Sequence, residues 1–153
     1  MKATEAKGDH LQKIRFETTA QFNKPKKFRE KHLTLKISEL VMGKMSPIFT
    51  NDHKALYDPA TESFYFPRFE FMSNQSKSRV AVPMKSFVLE VIEIDPKNRQ
   101  KFIGKTQFLM RDALKKANTG RMSLFLLDEK NRYQGKLDIS QCSARRHYSF
   151  FDL

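Results

Sequence analysis

The sequence predicts an all-β fold, an antiparallel eight-stranded β-sandwich with one short helix and an extra N-terminal strand. Three observations carry this. Segments of alternating apolar and polar residues recur along the chain at roughly 8–20-residue spacing. Polar stretches punctuated by Gly and Pro separate them, and a single short segment has helical character. The regular alternation of strand and helix that marks a βαβ architecture is missing.

Leu11 to Thr19 alternates at period two, as a half-buried strand does. Lys24 to Lys31 follows as a basic connector. His32 to Leu40 alternates again, with Leu33, Leu35 and Ile37 on one face. Gly43 and Pro47 bracket a turn before Ile48-Phe49, and a polar loop from Thr50 to Thr61 leads to the aromatic run Phe64 to Phe71. Pro67 within that run argues for an edge strand or a strand start, because proline donates nothing to a ladder. After a polar loop over Ser73 to Arg79, the most apolar strand covers 86–94, with 102–110 as its hairpin partner. Arg111 to Asn118 reads as the helix, closed by Thr119-Gly120 with Gly120 in a left-handed cap. Met122 to Leu127 and Lys136 to Cys142 complete the strands.

A chain of 153 residues fits one domain with its own core, and 39% apolar residues including 14 Phe can fill it. The net charge of +12 favours an anionic partner. Residues 1–31 hold nine basic against four acidic residues, so +5 of that charge lies there. Lys115-Lys116 and Arg145-Arg146 add smaller basic pairs. A lone Cys142 excludes an intrachain disulfide and points to a reducing, cytoplasmic location, with the thiol as a small buried hydrophobe. Residues 1–10 read as a flexible start without a signal-peptide core, and no stretch approaches the ~18 apolar residues of a transmembrane helix. Membrane association is therefore expected to be peripheral. His10, His32, His53 and His147 are scattered, and no phosphate loop or nucleophile elbow is present, so no catalysis is expected.

Two carboxylates, Glu93 and Asp95, end the apolar strand two residues apart and so point to one side of a loop mouth, an arrangement suited to a cation. Phe87 to Asp95 followed by Lys101-Phe102-Ile103-Gly104 resembles the third calcium-binding loop of C2 domains. Gly135 to Ile139 with Tyr148 to Leu153 is similar to the end of the second C2 domain of copines. Met42 to Phe49 resembles that family's Gly/Ser-Lys-Ser-Asp-Pro-Phe turn, and Ile14 to Thr19 sits where copines close their first C2 domain.

The resemblance implies a C2-type domain over 32–153, preceded by 1–31 as a basic lead segment and linker strand, excised from a copine-like protein. It implies a non-catalytic module for membrane targeting or protein interaction. Calcium-binding members supply about five carboxylates from two loops, since Ca²⁺ takes ~6–8 oxygen ligands. Glu93 and Asp95 stand at the paired Asp positions, while Ser46 and Lys101 stand where Asp is expected. The site is therefore expected to be weak or absent, with no other cofactor, and Lys101 is expected to neutralise Glu93 and Asp95.

Lys24, Lys26, Lys27, Arg29 and Lys31 are the expected contacts to anionic phospholipid, with Phe22 and Phe28 entering the interface beside them. A protein partner is the other class the resemblance allows. The alternative function is a basic nucleic-acid-binding β-domain with Phe64-Tyr65-Phe66 as a stacking platform. Alternation instead assigns Phe64 and Phe66 to the core, which places nucleic acid second.

Overall fold

The computed structural model describes residues 11–51, 53–74 and 80–146. The reading of residues 1–10 and the copine-like motif at Tyr148 to Leu153 lie outside them. The strands are β1 (Leu11–Phe22), β2 (Leu33–Val41), β3 (Lys44–Thr50), β4 (Leu56–Asp58), β5 (Ser63–Asn74), β6 (Ser86–Ile94), β7 (Gln100–Leu109), β8 (Met122–Leu127) and β9 (Tyr133–Arg146). The helix α1 (Met110–Asn118) links β7 to β8.

All pairings are antiparallel, in the order β3-β2-β6-β7-β8-β9-β1-β5-β4. One layer is β3-β2-β6-β7 and the other is β8-β9-β1-β5-β4. They are joined along one side by a single bridging pair, Lys105 with Leu127. The inward faces meet in a phenylalanine core that crosses the layers. Phe16 of β1 packs edge-on against Phe108 of β7 at 5.7 Å, and Phe71 of β5 does the same against Phe87 of β6 at 5.7 Å. Phe69 of β5 meets Phe49 of β3 at 5.3 Å with the rings tilted. Each ring buried whole contributes about 1.5–3 kcal/mol. Phe64 and Phe66 belong to this core, as the alternation predicts, and neither is a surface platform.

β1 departs from the expected lead segment. Its residues Ile14, Phe16, Thr18, Ala20 and Phe22 are buried, and it is hydrogen-bonded to β5 on one side and β9 on the other. Leu11–Phe22 is thus an inner strand of the sandwich, so residue 32 does not separate a linker from the domain. The period-two pattern is correct for the strand and silent about its partners, which lie far away in sequence.

Two local readings are corrected by backbone chemistry, while the edge reading of Pro67 agrees with the strand pairing. Pro67 sits inside β5, where the register with β1 shifts between Phe16/Thr18 and beyond the last residue that β4 pairs, so no ladder bond is lost. The polar loop 50–61 contains the short strand β4. Gly120 is not left-handed; α1 is closed by the Thr119 N–H and hydroxyl and the Asn118 amide, which donate to the Lys116, Lys115 and Leu114 carbonyls. The β2–β3 hairpin turns at Met42 and Gly43, with φ of 51° and 79°. Consecutive positive φ values suit the twist of the flanking strands.

Below that turn a buried ion pair ties the β5–β6 connection down. The Lys85 ammonium, 1% exposed, donates to Glu39 Oε1 at 3.0 Å and to Ser73 Oγ at 3.3 Å. Cys142 is buried with its Sγ 3.9 Å from Met110 Sδ, and burial pushes its thiol pKa up to about 12. An unreactive, hydrophobe-like thiol is the consequence.

Candidate functional site

Strand direction gathers four connections at the end of the sandwich away from the Met42-Gly43 turn: 23–32, that of 51 and 53–55, 95–99 and 128–132. The Ile94 N–H donates to the His32 carbonyl at 2.9 Å and the Ala55 N–H to that of Leu33 at 2.8 Å, which fixes the first three side by side. The Asn23 N–H donates to Gln134 O at 2.9 Å and brings in the fourth.

The first connection is basic on the outside because it is apolar on the inside. Pro25 starts a 3-10 turn over Pro25–Lys27, and Phe28 caps it, its N–H donating to Pro25 O at 3.1 Å. The Phe28 ring is 3% exposed and lies 4.7 Å from that of Phe22. Both rings therefore anchor the turn in the core and are not the interfacial aromatics that the sequence suggests. With the anchor pointing inward, Lys24, Lys26, Lys27, Arg29 and Lys31 are all exposed. The five lie on one exposed connection.

Two of the other three connections, 95–99 and 128–132, are copies of one design. Asp95-Pro96-Lys97-Asn98-Arg99 joins β6 to β7, and Asp128-Glu129-Lys130-Asn131-Arg132 joins β8 to β9. Asp95 Oδ1 accepts from the backbone N–H of Lys97 at 2.9 Å and of Arg99 at 2.8 Å, and its Oδ2 accepts from Arg99 Nε at 2.8 Å. Asp128 Oδ1 accepts from Lys130 and Arg132 at 2.9 Å each, and its Oδ2 from Arg132 Nε at 2.9 Å. Asn98 and Asn131 take the left-handed position, at φ of 63° and 60°, which asparagine tolerates. The Arg99 backbone N–H, first among the causes, holds the Asp95 carboxyl below the usual carboxylate range, and Arg132 does the same for Asp128. The repeated Asp-x-Lys-Asn-Arg is present in the sequence but escapes a reading by pattern, because five residues at two loops do not register as a repeat of domain scale.

These contacts decide the fate of the expected metal ligands. Both oxygens of Asp95 are spent on its own loop. Glu93, 8% exposed, has its Oε2 3.6 Å from the Lys31 ammonium. Ser46 lies elsewhere: it pairs with Glu39, which pairs with Phe87, six residues from Glu93 along β6. At about 3.4 Å per residue that is roughly 20 Å. The antiparallel run of β2 against β6 carries the Met42–Phe49 segment to the wrong end for a shared site. Lys101 is opposite Glu93 in register, yet among the described residues its ammonium forms no ion pair, and Lys31 and Arg99 neutralise the two acids instead. The described residues contain no group of three or more His, Cys, Asp or Glu side chains placed to hold a metal ion. Glu93 and Asp95 are each paired with a cation of the chain itself.

Two cavities flank the basic turn. One, of about 810 Å³, opens between it and the β6–β7 loop, where Lys26, Lys27, Arg29, Lys31 and Lys54 outnumber Glu30, Glu93 and Asp95. The other, of about 550 Å³, opens toward the β8–β9 loop. Both have a surplus of cations. No helix among the described residues is long and apolar enough to cross a membrane.

No family model matches the sequence, and no curated protein matches it. Solved structures do match the fold. "BON1-C2B" superposes with a TM-score of 0.62 at 13% identity, covering 90% of this chain and 93% of that one. A C2 domain of plant Extended Synaptotagmin 1 gives 0.53 at 10% identity, covering 92% and 98%. A C2 domain-containing protein from a putative elicitor-responsive gene gives 0.50 at 7% identity, covering 93% and 92%. The antiparallel sandwich with its single helix is a C2 fold.

Proposed function

We propose that this chain is a non-catalytic C2-fold module that docks on anionic phospholipid at a cytoplasmic membrane surface without calcium. The observation that supports this is the pairing of both loop-end acids with cations of the chain itself, beside a turn whose other cations face outward. Lys31 answers Glu93 and Arg99 answers Asp95, while Lys24, Lys26, Lys27 and Arg29 remain outward on a turn held by Phe22 and Phe28. Each such cation near an anionic surface contributes about 1 kcal/mol. The copine-like context rests on the sequence motifs alone.

Co-sedimentation with phosphatidylserine vesicles tests the reading. Binding is expected in EDTA, falling steeply from low to physiological salt, and absent with phosphatidylcholine alone. Single-stranded RNA that outcompetes the vesicles at matched salt would establish the nucleic-acid alternative instead.

A further inference from the structure

The edge of a β-sheet is a row of unpaired backbone donors and acceptors, and sequences blunt it with charge, proline or brevity. The two ends of this sheet follow that rule: β3 carries Lys44 and Pro47, and β4 is three residues long. A further edge arises where the layers part. β7 and β8 share only the Lys105–Leu127 pair, so Met122 to Leu126 are laddered to β9 on one side and, among the described residues, to no strand on the other. No backbone bond from a turn or loop among the described residues covers that side either.

This edge is not blunted. β8 reads Met-Ser-Leu-Phe-Leu-Leu, with neither charge nor proline, whereas β7 across the seam carries Lys101 and Lys105. Phe125 stands 73% exposed on the outer face, edge-on to the exposed Tyr133 at 5.6 Å. An aromatic pair left in water at the margin of a sheet offers apolar area to a cross-strand neighbour. The cations beside it have defined directions. Lys136 lies opposite Phe125 in register with its ammonium 3.8 Å from Asp138 Oδ2, and Arg121 Nη1 is 3.5 Å from the same oxygen. Two cations thus share one carboxylate on the face that Phe125 occupies, and the patch keeps a surplus of positive charge.

We propose that the free edge of β8 takes an added strand from a protein partner, an extended segment whose outward row sets acidic residues around an apolar one. Its backbone completes the ladder that β7 leaves open. Its inward row is apolar and continues the row of Met122, Leu124 and Leu126, of which Leu124 is only partly buried against the core. On the outer face an apolar side chain meets Phe125, and carboxylates on either side of it meet Arg121 and Lys136. Charge selects this occupant over a second copy of the chain, because two β8 edges laid together would bring Arg121 and Lys136 of one copy against those of the other. The proposal goes beyond membrane docking and makes no use of the basic turn.

The probe is a labelled peptide reading Val-Glu-Val-Leu-Val-Glu-Val, titrated with the whole chain and followed by fluorescence anisotropy. Saturable binding is expected, weakened about tenfold by Phe125→Ser, the loss of one aromatic anchor. An added strand turns a single edge to β8, so two forms of the peptide, N-methylated at one or the other set of alternate amides, are expected to separate: one binds like the parent peptide and the other does not. A peptide with Lys in place of Glu is expected to bind about tenfold more weakly or less. Backbone hydrogen exchange in the complex is expected to slow over 122–126 and to stay unchanged over 44–50 in β3. Absence of saturable binding, equal behaviour of the two N-methylated forms, equal binding of the Lys peptide, or protection that falls on 23–32 instead of β8 overturns the proposal. So does a Phe125→Ser variant that titrates like the parent. A dimer of the chain alone in sedimentation, lost in Phe125→Ser, would make a second copy the occupant and overturn it likewise. Phe125 lies outside the core, and Phe125→Ser is expected to bind phosphatidylserine vesicles as the parent does, so the two readings fail separately.

Discussion

The Lys31 ammonium lies 3.6 Å from Glu93 Oε2, joining the connection before β2 to the last turn-ward residues of β6. It ties the two segments together by charge. The Lys31 side chain is 42% exposed and that of Glu93 11%, so the pair is half-wet and contributes on the order of 1 kcal/mol. Lys31→Met is expected to lower urea-unfolding stability by about that amount. It should also speed backbone hydrogen exchange over 23–32 while the Phe core stays protected. Unchanged exchange in that connection would remove Lys31 from this role.

The twin aspartates make the loops acid-sensitive. Their folded-state pKa values are depressed, so their contribution is fully present above the unfolded carboxylate value of about 3.9 and is lost as pH falls through the lower folded values. The amide resonances of Lys97, Arg99, Lys130 and Arg132 are expected to shift together below that pH. Asp95→Ala should abolish the transition at Lys97 and Arg99 and leave it at Lys130 and Arg132. If both loops respond to the single substitution, they are not independent copies.

Gly135 is held by a close approach of strands. It pairs with Phe22, and a Cβ there would fall on the Gln21 carbonyl oxygen and 2.8 Å from Phe22 Cα. Backbone cannot yield as a side-chain tip does, so Gly135→Ala is expected to cost about 2 kcal/mol or more. Because β1 ends beside this contact, the loss should be accompanied by weaker protection of Ala20 to Phe22.

Removing the Lys85 charge strands Glu39 in a place with little water. Lys85→Met is expected to destabilise by about 3–5 kcal/mol, measured by chemical denaturation, and replacing Glu39 with Leu in the same chain should restore most of it. A single variant near parental stability would show that water reaches the pair.

Much of this architecture is legible in local pattern. The runs that form β1, β2, β6 and β7 alternate or are apolar in the sequence, and periodicity alone assigns Phe64 and Phe66 to the core. What pattern does not supply is partnership. β1 looks like a leader because its neighbours, β5 and β9, lie more than forty residues away. Ser46 looks like a site residue because strand direction is not written in a motif. The basic cluster is readable from composition, but its outward presentation depends on Phe22 and Phe28, which the same composition suggests are exposed. Asp95 reads as a ligand because a carboxylate that caps its own loop and one that waits for a metal have the same letter. Only the five-residue echo at Asp128 distinguishes them.

The central claim is that internal cations have replaced calcium at the loop end and that the basic turn does the binding. Affinity for phosphatidylserine vesicles, measured in EDTA and again in millimolar Ca²⁺, tests it most directly. Equal affinities are expected, with a large loss when Lys24, Lys26, Lys27 and Arg29 are replaced together by Ala. A tenfold or greater gain on adding calcium would contradict the account, since it would require Glu93 and Asp95 to leave Lys31 and Arg99 for the metal.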